Sequence, residues 1–437
     1  MPVLRYLGLA EEASYNPAQP PAAVIHVDIA SATLDAPSDT EIVFAGGLTR
    51  SPRLKRPGYY APTGNIALPF DVATIAWLLK AALGGYEFSA GITPAVEEEQ
   101  TLYLGGATGG TFVLGDGVNL TTPIAWNANA ATIETALDAL YGAGNVTVAA
   151  DTNFTVAFAT SVGHSHLEAY FGSLTGDVAP LLTLTQAYQG VLNRHECWGS
   201  NDTYLPSLNM RLGRDLLEHV FAGCTLGTLD LAVEGELAMA TLGVSAARDL
   251  YAALETSVEG LLLPAEYPLA FHEFQAYLVG EGPLGADMNI SARVRQFTLP
   301  INNGLAADLG RTIGSRYPRR LPVQEREVKF TANLEFEDLD HLFRLWGSET
   351  GPAVGGSTEF GIRLVGTAGG HGSINILIPR MFWTQVQQPV AGRTLITQAV
   401  TGRAMLSTVT LADAITEVET DILATILNAH AEIVPTM

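Results

Sequence analysis

Several residue groups in this 437-residue chain have types and spacing that could do chemistry. His164-Ser165-His166, with Asp177 downstream, could seed a metal site, because imidazole and carboxylate are common zinc ligands. No third ligand stands at a diagnostic spacing, so the pair reads as polar loop histidines. His195-Glu196-Cys197 could place a base beside a thiol. Adjacent strand residues point to opposite faces, however, and 195 shares a face with 197 only if the strand is regular. Arg50, Arg53, Arg316 and Arg319 could hold phosphate, but they fit better as candidate assembly or loop contacts that pair with carboxylates. Trp77, Trp198, Trp346 and Trp383 would suit a carbohydrate platform. Trp77 and Trp346 take corresponding places on two predicted helices, which favours core packing. No phosphate-binding glycine pattern occurs. Gly105-Gly106 and Gly109-Gly110 read as turns and Asp116-Gly117 as a hairpin turn. No catalytic, cofactor-binding or metal-binding residue is assigned, and no enzyme is expected.

The elements that must position these residues contain an echo. Arg50-Ser51-Pro52-Arg53 returns as Arg316-Tyr317-Pro318-Arg319, and each copy leads into a strand-like run (64–70; 328–336). Each run is followed by an acidic helix start, Asp71 or Asp338, and an apolar helix (72–83; 339–346) stopped at Gly84 or Gly347. The tetrapeptide alone is weak evidence; the shared order behind it argues for two related modules in one chain.

Between Ala22 and Phe44, alternation and turn residues predict two strands, and Lys55 to Tyr60 reads as a loop because prolines 52, 57 and 62 interrupt regular structure. From about Glu99 to Gly190 the composition shifts to Thr, Ala, Gly and Asn. Runs at 102–104, 111–114, 146–148 and 154–158 flank an amphipathic helix at 132–140, giving a ββαββ domain. Beyond it, 208–213 predicts a strand, 215–222 a helix or turn, and 225–233 with 237–245 a hairpin turning at Glu234-Gly235. Pro264 and Pro268 mark a linker, followed by strands at 273–279, 290–300, 328–337, 360–365, 374–378, 393–400 and 408–411. The tail, 413–431, is helix-permissive, with Ile415, Val418, Ile422 and Ile426 three or four apart.

This organises the chain as a first domain in two pieces, 1–98 and 191–256, interrupted by an insertion at 99–190 and followed by a second domain at 257–437. Insertions are tolerated at exposed loop tips.

Apolar residues make up 47% of the chain and charged ones only 16%, so more surface can be buried than one monomer needs, with subunit interfaces the simplest sink. Acidic residues outnumber basic ones 45 to 23, a formal charge of -22 that disfavours tight nucleic-acid binding. The same field allows DNA to pass without adsorbing, and an acid-lined passage is the corresponding expectation. Two cysteines, Cys197 and Cys224, exclude a disulfide scaffold. No run reaches the roughly 20 apolar residues of a membrane span. The N-terminal residues lack signal-peptide character, so synthesis in a cytoplasm is expected.

The runs Phe297 to Leu305, Gly314 to Arg319 and Glu327 to Phe336 resemble the tail tube proteins of long-tailed bacteriophages of the non-contractile, siphovirus-like kind. The segments from Arg56 to Lys80 and Glu218 to Cys224 look like that family's first domain, and 102–184 looks like an accessory domain. The resemblance implies a mainly β fold with a few α-helices: two tandem tail-tube-type β-sandwich or barrel domains, the first interrupted by the ββαββ insertion. It also implies rings of three two-domain chains stacked into the hollow virion tail tube, with double-stranded DNA passing through during ejection without specific binding. The implied partners are further copies of the chain, a tape measure protein, and tail terminator and baseplate proteins; no cofactor or membrane is implied. The alternatives are a surface-adhesion or carbohydrate-binding module, or another tail ring protein of the same fold.

Overall fold

The computed structural model describes residues 5–35, 41–44, 54–116, 118–150, 153–162, 167–177, 180–186, 190–254, 261–262, 267–282, 285–389 and 396–436. The chain forms two compact units. One comprises Met1–Ser89, Arg194–Ala368 and Gly372–Met437; the other comprises Ala90–Asn193 and Gly369–His371. Strands dominate both units, as the sequence patterns predicted.

In the larger unit one set of strand pairings occurs twice, in the same chain order. In the first half, Leu7–Glu11 pairs with Ile25–Val27 and with Leu208–Arg214. Leu208–Arg214 pairs with the first half of the long strand Leu217–Val233, whose other side takes Arg248–Ala252. The second half of that long strand pairs with Met239–Ser245, then Thr63–Pro69, then Ser31–Ala32. In the second half of the chain, Phe274–Val279 pairs with Met288–Asn289 and with Phe360–Thr367. Phe360–Thr367 pairs with the first part of the long strand Ser373–Gln387, whose other side takes Leu423–Asn428. Its later part pairs with Thr397–Ala404, then Glu327–Glu335, then Val294–Asn302. Helices Ile75–Leu83 and Asp340–Trp346 follow Thr63–Pro69 and Glu327–Glu335 respectively, so the helices also correspond.

Each long strand changes partners part-way along its length, and a register shift follows soon after, between Leu226 and Thr228 in the first and between Trp383 and Gln385 in the second. Such shifts turn the corners of sheet-on-sheet packing. Gly223 takes φ 66, and an added Cβ would lie 2.8 Å from Ala247, so the corner of the first long strand requires glycine.

The halves fuse where Leu217–Val233 pairs with Val294–Asn302, with Thr228 opposite Asn302 and Val233 opposite Phe297. One hydrophobic cluster therefore spans both, running through Ile66, Leu231, Leu299, Phe330 and Trp383. The longer strands of this joined sheet alternate buried with part-exposed residues, as in Glu327–Glu335, and present one polar face.

Both helices end at left-handed glycines, Gly84 (φ 87) and Gly347 (φ 71), as their sequences required. The first begins at Ile75, three residues later than predicted. The Asp71 carboxylate accepts from the Ala73 and Tyr267 amides, while its carbonyl accepts from Ile75. In the second helix His341 is the buried residue, while the apolar Leu342, Phe343, Leu345 and Trp346 are half-buried.

The smaller unit contains two sheets: Ile124–Ala125, Gly106–Gly115 and Glu168–Asp177; and Val146–Ala150, Phe154–Phe158, Glu98–Tyr103 and Leu181–Gln186. The helix Ala130–Tyr141 is capped by Asn129, which accepts from the Thr132 amide, and buries Ile133 and Leu137.

Five expectations are corrected. The insertion is richer than ββαββ, because Glu168–Asp177 and Leu181–Gln186 complete its sheets; irregular register, between Tyr170 and Ser173 in the first and Leu184 and Gln186 in the second, breaks their strand pattern. Gly109-Gly110 lies inside the strand Gly106–Gly115, where Gly110 backs onto the Ser173 carbonyl. Leu54–Pro57 is an edge strand of a hairpin, a place that tolerates proline. Residues 217–222 are strand; burial alternates as far as Val220 and then continues unbroken to Leu226, which removes the alternation that marks a strand. The tail forms Glu417–Thr420 and Leu423–Asn428, since Ile422, Ala424 and Ile426 share a face at period two as well. The proposed linker prolines fall partly outside the described residues, with only Pro268 within them.

Candidate assembly surfaces

His195, Glu196 and Cys197 all lie in the strand Leu192–Gly199 and all are buried, but they form no nucleophilic pair. His195 hydrogen bonds through Nδ1 to the Tyr86 hydroxyl at 2.9 Å and through Nε2 to Asn428 Oδ1 at 3.0 Å. Burial pushes its pKa down to about 4, so it stays neutral. The Cys197 thiol faces the Ala76 carbonyl at 3.9 Å, and burial holds it far above the usual thiol range. Glu196 accepts from the Ala412 amide and pairs with Arg194 at 3.3 Å. The three residues hold strands together. Cys197 and Cys224 are both buried free thiols.

Residues 163–166 lie outside the described residues, and with them His164-Ser165-His166. Among the described residues no group of three or more His, Cys, Asp or Glu is placed to hold a metal ion. No helix among them is long and apolar enough to cross a membrane. Trp383 is buried against Phe330, Phe360 and His341, and Trp77 is buried in the same core. Trp198 and Trp346 are half-buried.

Arg50 and Arg53 also lie outside the described residues. Arg316 and Arg319 sit in the loop 303–326 that joins Val294–Asn302 to Glu327–Glu335. Arg316 Nε donates to the Gly58 carbonyl at 3.0 Å, and its guanidinium lies 5.6 Å from the Tyr60 ring centroid. The Tyr60 amide donates to the Arg316 carbonyl, and the Tyr60 and Tyr317 rings meet edge to face. The segment following the first Arg-x-Pro-Arg copy thus docks on the second. Neither Arg316 nor Arg319 pairs with a carboxylate among the described residues.

Three surfaces were not read from sequence, because each depends on pairings between distant strands. The first is an open edge. Among the described residues, Phe382 to Gln387 ladders only to Thr397–Ala404 on one side. The corresponding side of Leu217–Val233 is covered by Val294–Asn302. The second is the counterpart of that covering strand in the first half, residues 30–35, which run along Thr63–Pro69 on one side only among the described residues.

The third is the polar face of the joined sheet. One cross-strand row reads Ala232, Thr298, Thr331, Thr401, Gln385. Toward one end Lys329 stands opposite Arg403, and both are neutralised: Lys329 by Glu327 at 2.9 Å, Arg403 by Glu325 at 2.6 Å. Asp230, half-buried on the same face, has its pKa raised by desolvation. Hydroxyls and amides, with few net charges, make up this face.

A family model described as phage tail tube protein matches residues 4–404. No curated protein matches the chain.

Proposed function

Since the chain belongs to the phage tail tube protein family and is a structural component of the virion tail, we propose that three copies close into a ring and that rings stack into the hollow tube of a non-contractile tail. The repeated pairing carries this reading. Inside one chain, the outer edge of the first long strand is completed by Val294–Asn302 of the second half. At the far end of the same sheet, Phe382 to Gln387 offers the equivalent edge, and residues 30–35 of a neighbouring copy are the equivalent completing strand. An edge that would be a liability in a monomer is consumed by head-to-tail closure. Each chain then supplies two wall segments, 1–98 with 191–256 and 257–437, and three chains supply six.

On this reading the polar face of the joined sheet lines the bore, and DNA crosses it during ejection. Threonine, asparagine and glutamine present no run of cations to displace phosphate counterions, so DNA is not held. On this reading the bore is less acidic than the composition suggests: the sheet face carries Asp230, Glu327 and Glu335 with Lys329 and Arg403, and Arg295 pairs with Glu335 at 3.7 Å. Tape measure, terminator and baseplate proteins are the further partners, and residues 99–190 are an accessory domain.

The edge is tested by placing lysines on it with Thr384→Lys and Gln385→Lys, a substitution that discourages strand addition. Wild-type protein is expected to sediment as rings or tubes and the variant as a folded monomer. Unchanged rings in the variant would refute closure through this edge.

A further inference from the structure

The repeated pairings match even in their irregularities. The ladder of Leu208–Arg214 with the first long strand skips between Leu208 opposite Cys224 and Met210 opposite Phe221. The ladder of Phe360–Thr367 with the second long strand skips in the same way, between Phe360 opposite Met381 and Ile362 opposite Ile378. Phe221 therefore corresponds to Ile378, and Val220 to Leu377. Val220 lies opposite Leu250 and Leu377 opposite Leu423, so Leu250 corresponds to Leu423, Tyr251 to Ala424 and Ala253 to Ile426.

In the second half these positions are covered. Ala424 and Ile426 are wholly buried, on the strand face that also carries Asn428. The approach to the first helix lies against that face: Asn428 Nδ2 donates to the Val72 carbonyl at 2.9 Å, and a Cβ added to Gly372 would lie 3.0 Å from Val72 Cγ1. Leu192–Gly199 completes the cover, pairing with Leu423–Asn428 while Cys197 faces the Ala76 carbonyl of the helix. All nine residues of that helix, Ile75–Leu83, are buried.

In the first half the same positions are bare. Tyr251 is 70% exposed and Ala253 is exposed as well, and among the described residues Arg248–Ala252 ladders only to the long strand. The second helix is bare in the matching way. Its Leu342, Phe343, Leu345 and Trp346 are only half-buried. Leu339, which corresponds to Ala76 when Gly84 is aligned with Gly347, is 41% exposed. One chain thus holds an uncovered helix and an uncovered strand whose counterparts cover each other.

We infer that the second helix of one copy covers the Arg248–Ala252 strand of the next, seating Leu339 against Tyr251 and Ala253. The inference rests on the proposed ring closure and adds to it a contact on a different sheet. The directions agree. Within a chain the first half lends its helix to the second half and takes Val294–Asn302 from it. In closure the second half of one copy lends its helix to the first half of the next and takes residues 30–35 from it, a head-to-tail contact of one polarity. Burial of the apolar helix face and the Tyr251 ring supplies attraction. Neighbouring charged groups are occupied within the chain: Arg248 by the Pro17 and Ala18 carbonyls, Asp249 by the Tyr60 hydroxyl at 2.6 Å, Arg344 by Glu281 at 3.1 Å and Asp338 by Arg293. Asp340 stays exposed. The two seams are alike in the helix and unlike in what lies beside it. Gly84–Thr93 and Leu192–Gly199 have no counterpart in the second half, where residues 347–359 lead from the helix directly to Phe360–Thr367. The seam between chains is therefore the thinner one.

The test uses the full chain under conditions where the wild type forms rings. Tyr251→Asp and, separately, Leu339→Lys are each expected to weaken ring formation about tenfold or more in sedimentation. Tyr251→Asp combined with Leu339→Lys in one chain is expected to restore rings, which also shows that both variants fold. Independently, Tyr251→Cys with Leu339→Cys, assembled and treated with a short bismaleimide, is expected to give closed three-chain species on denaturing gels. Neither single cysteine variant should do so, since Cys197 and Cys224 are buried. Rings of wild-type affinity from both charged variants, or no linked chains from double-cysteine rings, would overturn this contact while leaving closure through Phe382 to Gln387 standing. A wild-type chain that forms no rings would remove the ring reading itself, and this contact with it.

Discussion

Leu231 stands opposite Leu299 in the antiparallel ladder that joins the two halves of the chain, and both side chains are buried. The pair lies at the seam between the repeated pairings, so packing there couples one half to the other. Leu299→Ala is expected to cost about 2–5 kcal/mol, the usual range for a buried leucine truncated in a close-packed core. Urea unfolding should show this loss in one transition reporting both halves. A variant that melts only the second half would indicate that the seam does not couple them.

Lys80, on the first helix, points into the core and meets Glu11 at 2.6 Å, donates to the Ile433 carbonyl at 2.7 Å and lies 4.3 Å from the Tyr86 ring centroid. Both partners of the ion pair are buried. Lys80→Met leaves Glu11 as an unpaired buried charge and is expected to cost about 3–5 kcal/mol. Lys80→Met with Glu11→Leu should recover most of that loss. Denaturant midpoints of the single and double variants provide the comparison, and a double variant no better than the single would contradict it.

Stability should fall as pH drops below neutral. His195 and His341 are both held at about 4 by burial, against an ordinary value of 6.5. Between pH 6.5 and about 4 the unfolded chain therefore binds protons that the folded chain refuses, and the loss levels off below about 4. Each site contributes at most about 3 kcal/mol. Glu12 and Glu196, raised by burial, act in the opposite sense: the folded chain binds their protons first, partly offsetting the loss. His195→Gln should flatten the decline between pH 7 and 5, measured as the shift in urea midpoint. An unchanged slope would contradict the assignment.

Gly347 ends the second helix with φ 71, and an added Cβ would meet the Gly356 carbonyl oxygen at 1.9 Å. Gly347→Ala is expected to destabilise by more than about 1 kcal/mol, combining left-handed strain with that collision. Thermal melting of the variant checks the size of the effect.

Much of the fold could be read from local pattern. Residues 327–335 alternate strictly, and the glycines after each helix announce its end, so the strand–helix–glycine order was legible twice. Where local pattern carried less information, the reading failed. Residues 220–226 are buried without interruption at a corner between sheets, which removes the alternation that identifies a strand. Ile422 and Ile426, four apart, satisfy both a helix and a strand until Ala424 is seen buried between them. The assembly surfaces were invisible for a different reason. The open edge at Phe382 to Gln387 is defined by which strand does not lie beside it, and the polar sheet face is assembled from strands distant in sequence. Arg316 and Arg319 were singled out by type and spacing, but their setting depends on Gly58 and Tyr60, some 258 residues away in the case of the Arg316 bond.

The central claim is that one chain supplies two equivalent wall segments to a ring. Native mass spectrometry of rings released from assembled protein tests it most directly. The account predicts a mass of three chains, with six similar wall segments visible in end-on electron micrographs of the same sample. A ring of six chains, or a chain that stays monomeric under conditions where it is folded, would contradict it.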